Sequence, residues 1–166
     1  MSTMKASVCT GYGDASRLEV QRIKKPIRQP GELLIEVHGS SINPVDWKIL
    51  RGDLRIIFGL KPPQVLGGDF AGVVLEAEPE SGFKAGDKVW GLTDIRQLKK
   101  SSGAHCEILR CRAEIVDHMP TSLSFIEAGV LPLVGLTAYQ SLVHHAGLQK
   151  GQRVLINGCS GGVGLI

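Results

Sequence analysis

Four cysteines occur, Cys9, Cys106, Cys111 and Cys159, and no two of them form a C-x-x-C pair. That excludes a thioredoxin-type motif and a zinc knuckle, and leaves free, partly buried thiols in a reducing compartment as the simple reading. Aromatic residues make up only 5% of the chain, and no basic stripe interleaved with them occurs, so nothing calls for nucleic acid. The 19 basic and 16 acidic residues alternate along the sequence rather than forming blocks, which gives a net charge of only +3. No apolar run approaches the roughly 20 residues of a membrane span. The N-terminal MSTMKASVCT also lacks the apolar core of a signal peptide. The expectation is an intracellular chain, cytoplasmic by default and with an organelle left open.

What is present is ordinary globular material with 21 glycines in 166 residues, which implies many turns. A chain of this size buries roughly two-thirds of its unfolded surface and needs neither disulfide nor metal to fold. From Met4 to about Asp117, short alternating runs are separated by Gly, Pro and Asp. "ELLIEVHGSSI" places Leu33, Ile35 and Val37 on one face of a strand and Leu34, Glu36 and His38 on the other. "VLGGDFAGVVLEAE", "DKVWGL" and "HCEILRC" are further strands. Gly67, Gly68 and Gly72 within one strand pattern predict a bulge or a sharp bend. "NPVDWKILRG" predicts a helical turn capped by Asn43, with Pro44 first, Asp46 in the opening turn and Gly52 as the stop.

After Pro120 the period becomes helical. "SLSFIEAGV" predicts a short helix capped by Ser122 or Ser124, and "PLVGLTAYQSLVHHAG" a longer one that ends on His144, His145 and Gly147. "LQKGQRVLIN" then predicts a turn and a buried strand. Residues 1–120 thus form a mainly β domain, 121–150 a helical connector, and 151–166 the opening strand and turn of an α/β unit. An ending at "GGVGLI", in the first turn of an expected helix, makes the chain read as a fragment of a longer enzyme.

Gly158, Gly161 and Gly164 give a G-x-x-G-x-x-G spacing directly after that strand. Glycines let the backbone turn tightly and approach a pyrophosphate, and a following helix offers its positive N-terminus. An ordinary glycine-rich turn is the plain alternative.

Four segments in order carry a resemblance: "SINPVDWKILRG", "VLGGDFAGVV", "LPLVGLTAYQSL" and "VLINGCSGGVG". Together they resemble the zinc-independent, zeta-crystallin-like quinone oxidoreductases of the medium-chain dehydrogenase/reductase superfamily, over their N-terminal half. The resemblance implies a GroES-like, partly open β barrel with a helical connector, followed by the truncated start of a Rossmann domain. In zinc-dependent relatives a cysteine ligand and a His-Glu pair would stand where this chain has Asn43 and Gly68-Asp69. A structural-zinc lobe would add four cysteines within "GLTDIRQLKKSSG", which has none. No zinc is therefore expected, and His105 with Cys106 reads as packing.

The activity implied is hydride transfer from NADPH, or less readily NADH, to a quinone or an α,β-unsaturated carbonyl. Asn43, Asp46 and Asp69 are the catalytic candidates by this resemblance. Asn43 would face substrate and nicotinamide, and Thr137 would lie by the nicotinamide. Gly158, Ser160, Gly161, Gly162, Val163 and Gly164 would face the pyrophosphate. Each has a plainer reading: Asn43 as a helix cap, Thr137 bonding its own preceding carbonyl, Asp69 as a structural acceptor, and Asp46 complementing a helix dipole. No tyrosine follows the N-P-V-D loop in "RGDLRIIF", so solvent or a cofactor hydroxyl is the expected proton source. The alternative function is a non-catalytic binding or interaction module. The 166-residue chain alone is expected to be inactive, and a homo-oligomer is expected because Arg153 to Ile156 would otherwise leave an apolar edge unpaired.

Overall fold

The computed structural model describes residues 2–57, 59–94 and 103–166. The stretch 95–102, where a structural-zinc lobe would fall, and Phe58 lie outside the described residues.

Two antiparallel sheets form the body. Strands β1 (Thr3–Cys9), β2 (Leu18–Lys24) and β4 (Gln64–Val65) make a three-stranded sheet in the order β2-β1-β4. Strands β3 (Glu32–Ser40), β5 (Asp69–Glu76), β6 (Lys88–Leu92), β7 (Ile108–Arg112) and β8 (Val116–His118) make a five-stranded one in the order β7-β3-β5-β6-β8. Among the described residues neither sheet closes on itself, so the architecture is the open form of the expected barrel. Alternation carries the core as predicted. Leu33 and Ile35 of β3, Phe70 and Val74 of β5, Val89 of β6 and Leu109 of β7 meet in one buried cluster, with Val37 packed against it. One of the two irregularities between β3 and β5 falls where glycine allows it. The β3–β5 register shifts between Val37 and Gly39, and a Cβ on Gly72 would stand 2.0 Å from the Glu36 carbonyl oxygen. His118 ends β8 with its ring 4.9 Å from that of Phe83.

Helix α1 (Pro44–Arg51) has Asn43 at its N-cap, Pro44 in its first turn and a left-handed Gly52 at its end. It buries Ile49 and Leu50 against Cys9, Leu60 and Leu66. Burying two such side chains contributes about 3–6 kcal/mol, far more than eight residues of helix propensity can. Helix α2 (Phe125–Val130) takes Ser124 as its cap, in a capping box with Glu127. It sits directly on β3, because Gly39 and Gly129 face each other where no side chain fits: a Cβ on Gly129 would be 2.6 Å from the Gly39 carbonyl carbon. Helix α3 (Pro132–Tyr139) follows at once. The longer helix expected there continues only with a widened turn, Gln140–His145 forming a π-helical segment. Among the described residues no helix is long and apolar enough to cross a membrane.

The strand expected at Arg153 to Ile156 is not buried and joins no sheet. Val154, Leu155 and Ile156 are 45%, 95% and 50% exposed. A strand of this kind is stable only between hydrogen-bonded neighbours with helices on both faces, and among the described residues no strand pairs with it.

Candidate active site

Asp69 is the centre of the site. It opens β5 and is fully buried, a position tolerable for a carboxylate only if hydrogen bonds replace its water. One oxygen, Oδ1, accepts the backbone N–H of Leu133 at 2.7 Å. The other, Oδ2, accepts the Asn43 side-chain amide at 2.7 Å and the Ser41 hydroxyl. Leu133 lies in the first turn of α3, whose preceding residue, Leu131, cannot cap it. Asp69 thus caps α3 from a neighbouring strand, and its negative charge faces the positive end of that helix.

Asn43 is buried to 6% exposure. Its amide nitrogen spends both hydrogens inward, on Asp69 and on Ser41 Oγ at 2.8 Å. This fixes the side-chain orientation, since a carboxylate accepts only from a donor. A substrate carbonyl can receive a hydrogen bond from this amide only by replacing Ser41 as the acceptor. Asp46 reaches back to the Asn43 backbone N–H at 2.7 Å from within α1. Burial pushes the Asp46 carboxyl above its ordinary range; the Asn43 N–H and the nearby His105 pull the other way, and the charge of Asp69 adds to the rise. The three catalytic candidates therefore share one connected cluster.

The cofactor candidates join it through α3. Thr137 is exposed, and its hydroxyl donates to the Leu133 carbonyl at 2.7 Å, the plainer role foreseen for it. One turn earlier on the same face, Val134 touches the glycine loop: a Cβ on Gly162 would lie 3.2 Å from Val134 Cγ1. The loop folds on itself, with the Gly161 N–H on the Gly158 carbonyl at 3.0 Å and the Leu165 N–H on the Gly161 carbonyl at 3.1 Å. Gly164 packs so tightly that a Cβ would be 2.6 Å from Cys159 Cα. Gly158, at φ +76°, has nothing within 4 Å of a Cβ position. Ser160, Gly161, Gly162 and Val163 are exposed. An open backbone with no side chain in the way fits the close approach that a pyrophosphate needs.

Sequence reasoning missed Ser41 and the Leu133 N–H; a serine two residues before the cap was the signal for the first, and nothing local marked the second. His105, which the sequence reads as packing, donates from Nε2 to the Ser41 carbonyl oxygen at 2.9 Å. Tyr12 is a structural residue, its hydroxyl accepting the Leu60 N–H at 2.8 Å beyond the far end of α1. Among the described residues no group of three or more His, Cys, Asp or Glu side chains is placed to hold a metal ion. A cavity of about 1030 Å³ opens elsewhere, between β6, β8 and α3, and none of these candidate residues lines it.

Residues 29–144 match the alcohol dehydrogenase GroES-like domain. The chain belongs to that family. It is 33% identical over 168 residues to a chloroplastic quinone-oxidoreductase homolog of Spinacia oleracea, covering 97% of this chain and 50% of the spinach protein. The structure of a quinone oxidoreductase from Coxiella burnetii superposes with a TM-score of 0.87 at 30% identity, over 99% of this chain and 51% of that one. A mycobacterial protein solved in complex with NADPH superposes with a TM-score of 0.81 at 26% identity, over 98% of this chain and 48% of that one. The chain thus spans about half the length of the relatives it matches. The resemblance to the quinone oxidoreductases of the medium-chain dehydrogenase/reductase superfamily, and the GroES-like β fold expected from it, are borne out.

Proposed function

We propose that this chain is the substrate-side half of a reductase that passes hydride from a nicotinamide dinucleotide to a quinone or an α,β-unsaturated carbonyl. One observation carries the reading: consecutive residues of α3 join both halves of the site. Leu133 is held by the Asp69–Asn43 cluster, and Val134 lies against Gly162 of the glycine loop. When bound, the dinucleotide would supply the hydride. The protein's part is to hold groups in place and to stabilise developing charge.

In this reading Asn43 is the residue that meets the acceptor. Its amide, poised between Ser41 and Asp69, can exchange the Ser41 contact for the oxygen of a bound carbonyl without leaving the carboxylate. Asp69 and Asp46 act by positioning: the first orients the Asn43 side chain, the second its backbone. Gly158, Gly161 and Gly164 shape the loop, and Ser160 to Val163 present backbone to phosphate. NADPH is proposed over NADH because the mycobacterial neighbour was solved with it. The other reading, a binding module without turnover, is favoured by the exposure of Val154 to Ile156, since a dinucleotide crevice forms at the carboxyl ends of a complete parallel sheet.

A fluorescence titration with NADPH, with NADH alongside, separates the two. Saturable binding is expected, weakened about tenfold or more by Gly161→Val, because a side chain there fills the phosphate approach. The nearest atom to a Cβ on Gly161 is 3.4 Å away, so the variant keeps its fold. Absence of binding by a folded chain overturns the dinucleotide site in these 166 residues.

A further inference from the structure

We propose that His105 is a positioning residue for Asn43: its imidazole Nε2–H holds the Ser41 carbonyl and thereby sets the turn that aims the Asn43 amide. The inference rests on the reading of Asn43 as the acceptor-facing residue, and it concerns a side chain that neither the loop motif nor the cluster around Asp69 accounts for.

The route is short. Ser41 stands two residues before Asn43, in the link between β3 and α1, and works in two directions. Its carbonyl oxygen meets His105 Nε2 at 2.9 Å. Its hydroxyl donates to Asp69 and accepts from the Asn43 amide. The neighbour between them, Ile42, is 81% exposed and contributes no packing to hold the link. Loosening the Ser41 carbonyl therefore frees the hydroxyl that sits beside the Asn43 amide.

The ring is fixed at its own end. Residues 103–105 lie along the entry to β5, with Gly103 N–H on the Val65 carbonyl at 3.1 Å, Ala104 N–H on that of Gly67 and His105 N–H on that of Leu66, both at 3.0 Å. The Ser7 N–H closes on the His105 carbonyl at 2.9 Å. The ring then lies against Gly67, whose missing side chain is what makes room. A Cβ there would stand 2.5 Å from His105 Cδ2 and 2.8 Å from Nε2, at a backbone φ of +101° that other residues rarely adopt. Such a residue would push the ring off Ser41.

Protonation does not undo the hold. A carbonyl oxygen needs a donor, so neutral His105 carries its proton on Nε2, and the imidazolium carries one there as well. The charged group that interacts with the ring is Asp46 from α1, whose ionised form His105 favours, and Asp69 from β5 acts in turn on Asp46. Both are carboxylates, and neither competes for Nε2 in the hydrogen bonds described.

The test is NMR on the 166-residue chain, with His105→Phe and His105→Gln. Phe keeps a ring against Gly67 without a donor; Gln keeps an N–H donor without a ring. The expected results are an Nε2–H tautomer at His105 in long-range ¹H–¹⁵N spectra above pH 7.5 or so, and exchange of the Asn43 side-chain amide protons about five- to tenfold faster in the Phe variant. The Gln variant should return exchange to within about twofold of the parent. Unchanged unfolding midpoints distinguish loss of aim from loss of fold. An Nδ1–H tautomer, or parental Asn43 exchange in a folded Phe variant, overturns the proposal. Should the Phe variant not fold, the parent's tautomer and the Gln variant decide alone. None of these readouts involves a dinucleotide, so a negative NADPH titration would sink the proposed function and leave this result standing.

Discussion

Two apolar runs in this chain, "LLIEV" at 33–37 and "VLI" at 154–156, look alike as sequence and differ completely as structure. Leu33 and Ile35 are fully buried, whereas Leu155 is 95% exposed. The first run has β5 on one side and β7 on the other; the second has no strand beside it among the described residues. The glycines divide the same way. Gly39 and Gly72 are needed because backbone crowds them to 2.0 Å, while Gly158 faces open space and serves only its positive φ. Hydrophobic pattern states what a segment can bury, and neighbours decide whether it does.

The contrast is broken most directly by truncating one large side chain on each side. Phe70→Ala, at the fully buried centre of the main cluster, is expected to cost about 3–5 kcal/mol in denaturant unfolding. Leu155→Ala should stay within about 0.5 kcal/mol, as for exposed positions generally. If Leu155→Ala instead costs more than about 1 kcal/mol, and the cost grows with protein concentration, the 153–156 segment is covered in solution by another copy, as a homo-oligomer requires.

A smaller effect sharpens the comparison inside the body. Asp69→Asn keeps shape and removes an acceptor. Whichever way the new amide turns, its NH₂ faces a donor: the Leu133 N–H on one side, or the Asn43 amide and Ser41 hydroxyl on the other. The expected loss is about 1–3 kcal/mol, the usual consequence of leaving a buried donor without an acceptor. The effect should shrink when Asn43→Ala is already present, because the two side chains share a bond and their changes do not add. Full additivity in that double-mutant cycle would mean that Asn43 and Asp69 do not act together.

How far the sequence could reveal this follows from the range over which each feature is determined. The α1 stop and start were legible because Asn43, Pro44 and Gly52 act within one turn. The strands of the body were legible because alternation is local, and Gly72, one of the three glycines that predict a bulge, pairs with Val37 where the β3–β5 register shifts. The cap on α3 was not: Leu133 and Asp69 are 64 residues apart, and no periodicity reports on a carboxylate borrowed from another strand. His105 and Ser41 are likewise 64 apart, so His105 read as packing. β8, a three-residue edge strand, is too short to show alternation. The burial expected at Val154 to Ile156 failed for a different reason, since it depends on strands those residues do not themselves encode.

The last difference between the two regions is in proton binding. Residues 151–166 contain no Asp or Glu, so any stability linked to acidic side chains belongs to the body. There Asp46 has its carboxyl raised above 3.8, with burial as the leading cause. Between 3.8 and the raised value the folded chain holds this proton more often than the unfolded chain does. The contribution is therefore fully present below 3.8 and is lost as pH rises through the folded-state value. Asp46→Asn retains a carbonyl oxygen for the Asn43 N–H and cannot titrate. Unfolding free energies of parent and variant, measured from about pH 4 to pH 7, should thus differ by an amount that moves against the parent as pH rises and then levels off. A difference moving in the parent's favour would show that His105 and the backbone N–H groups of Asn43 and Gly67 outweigh burial, and that the α1 cap is held as an ionised carboxylate.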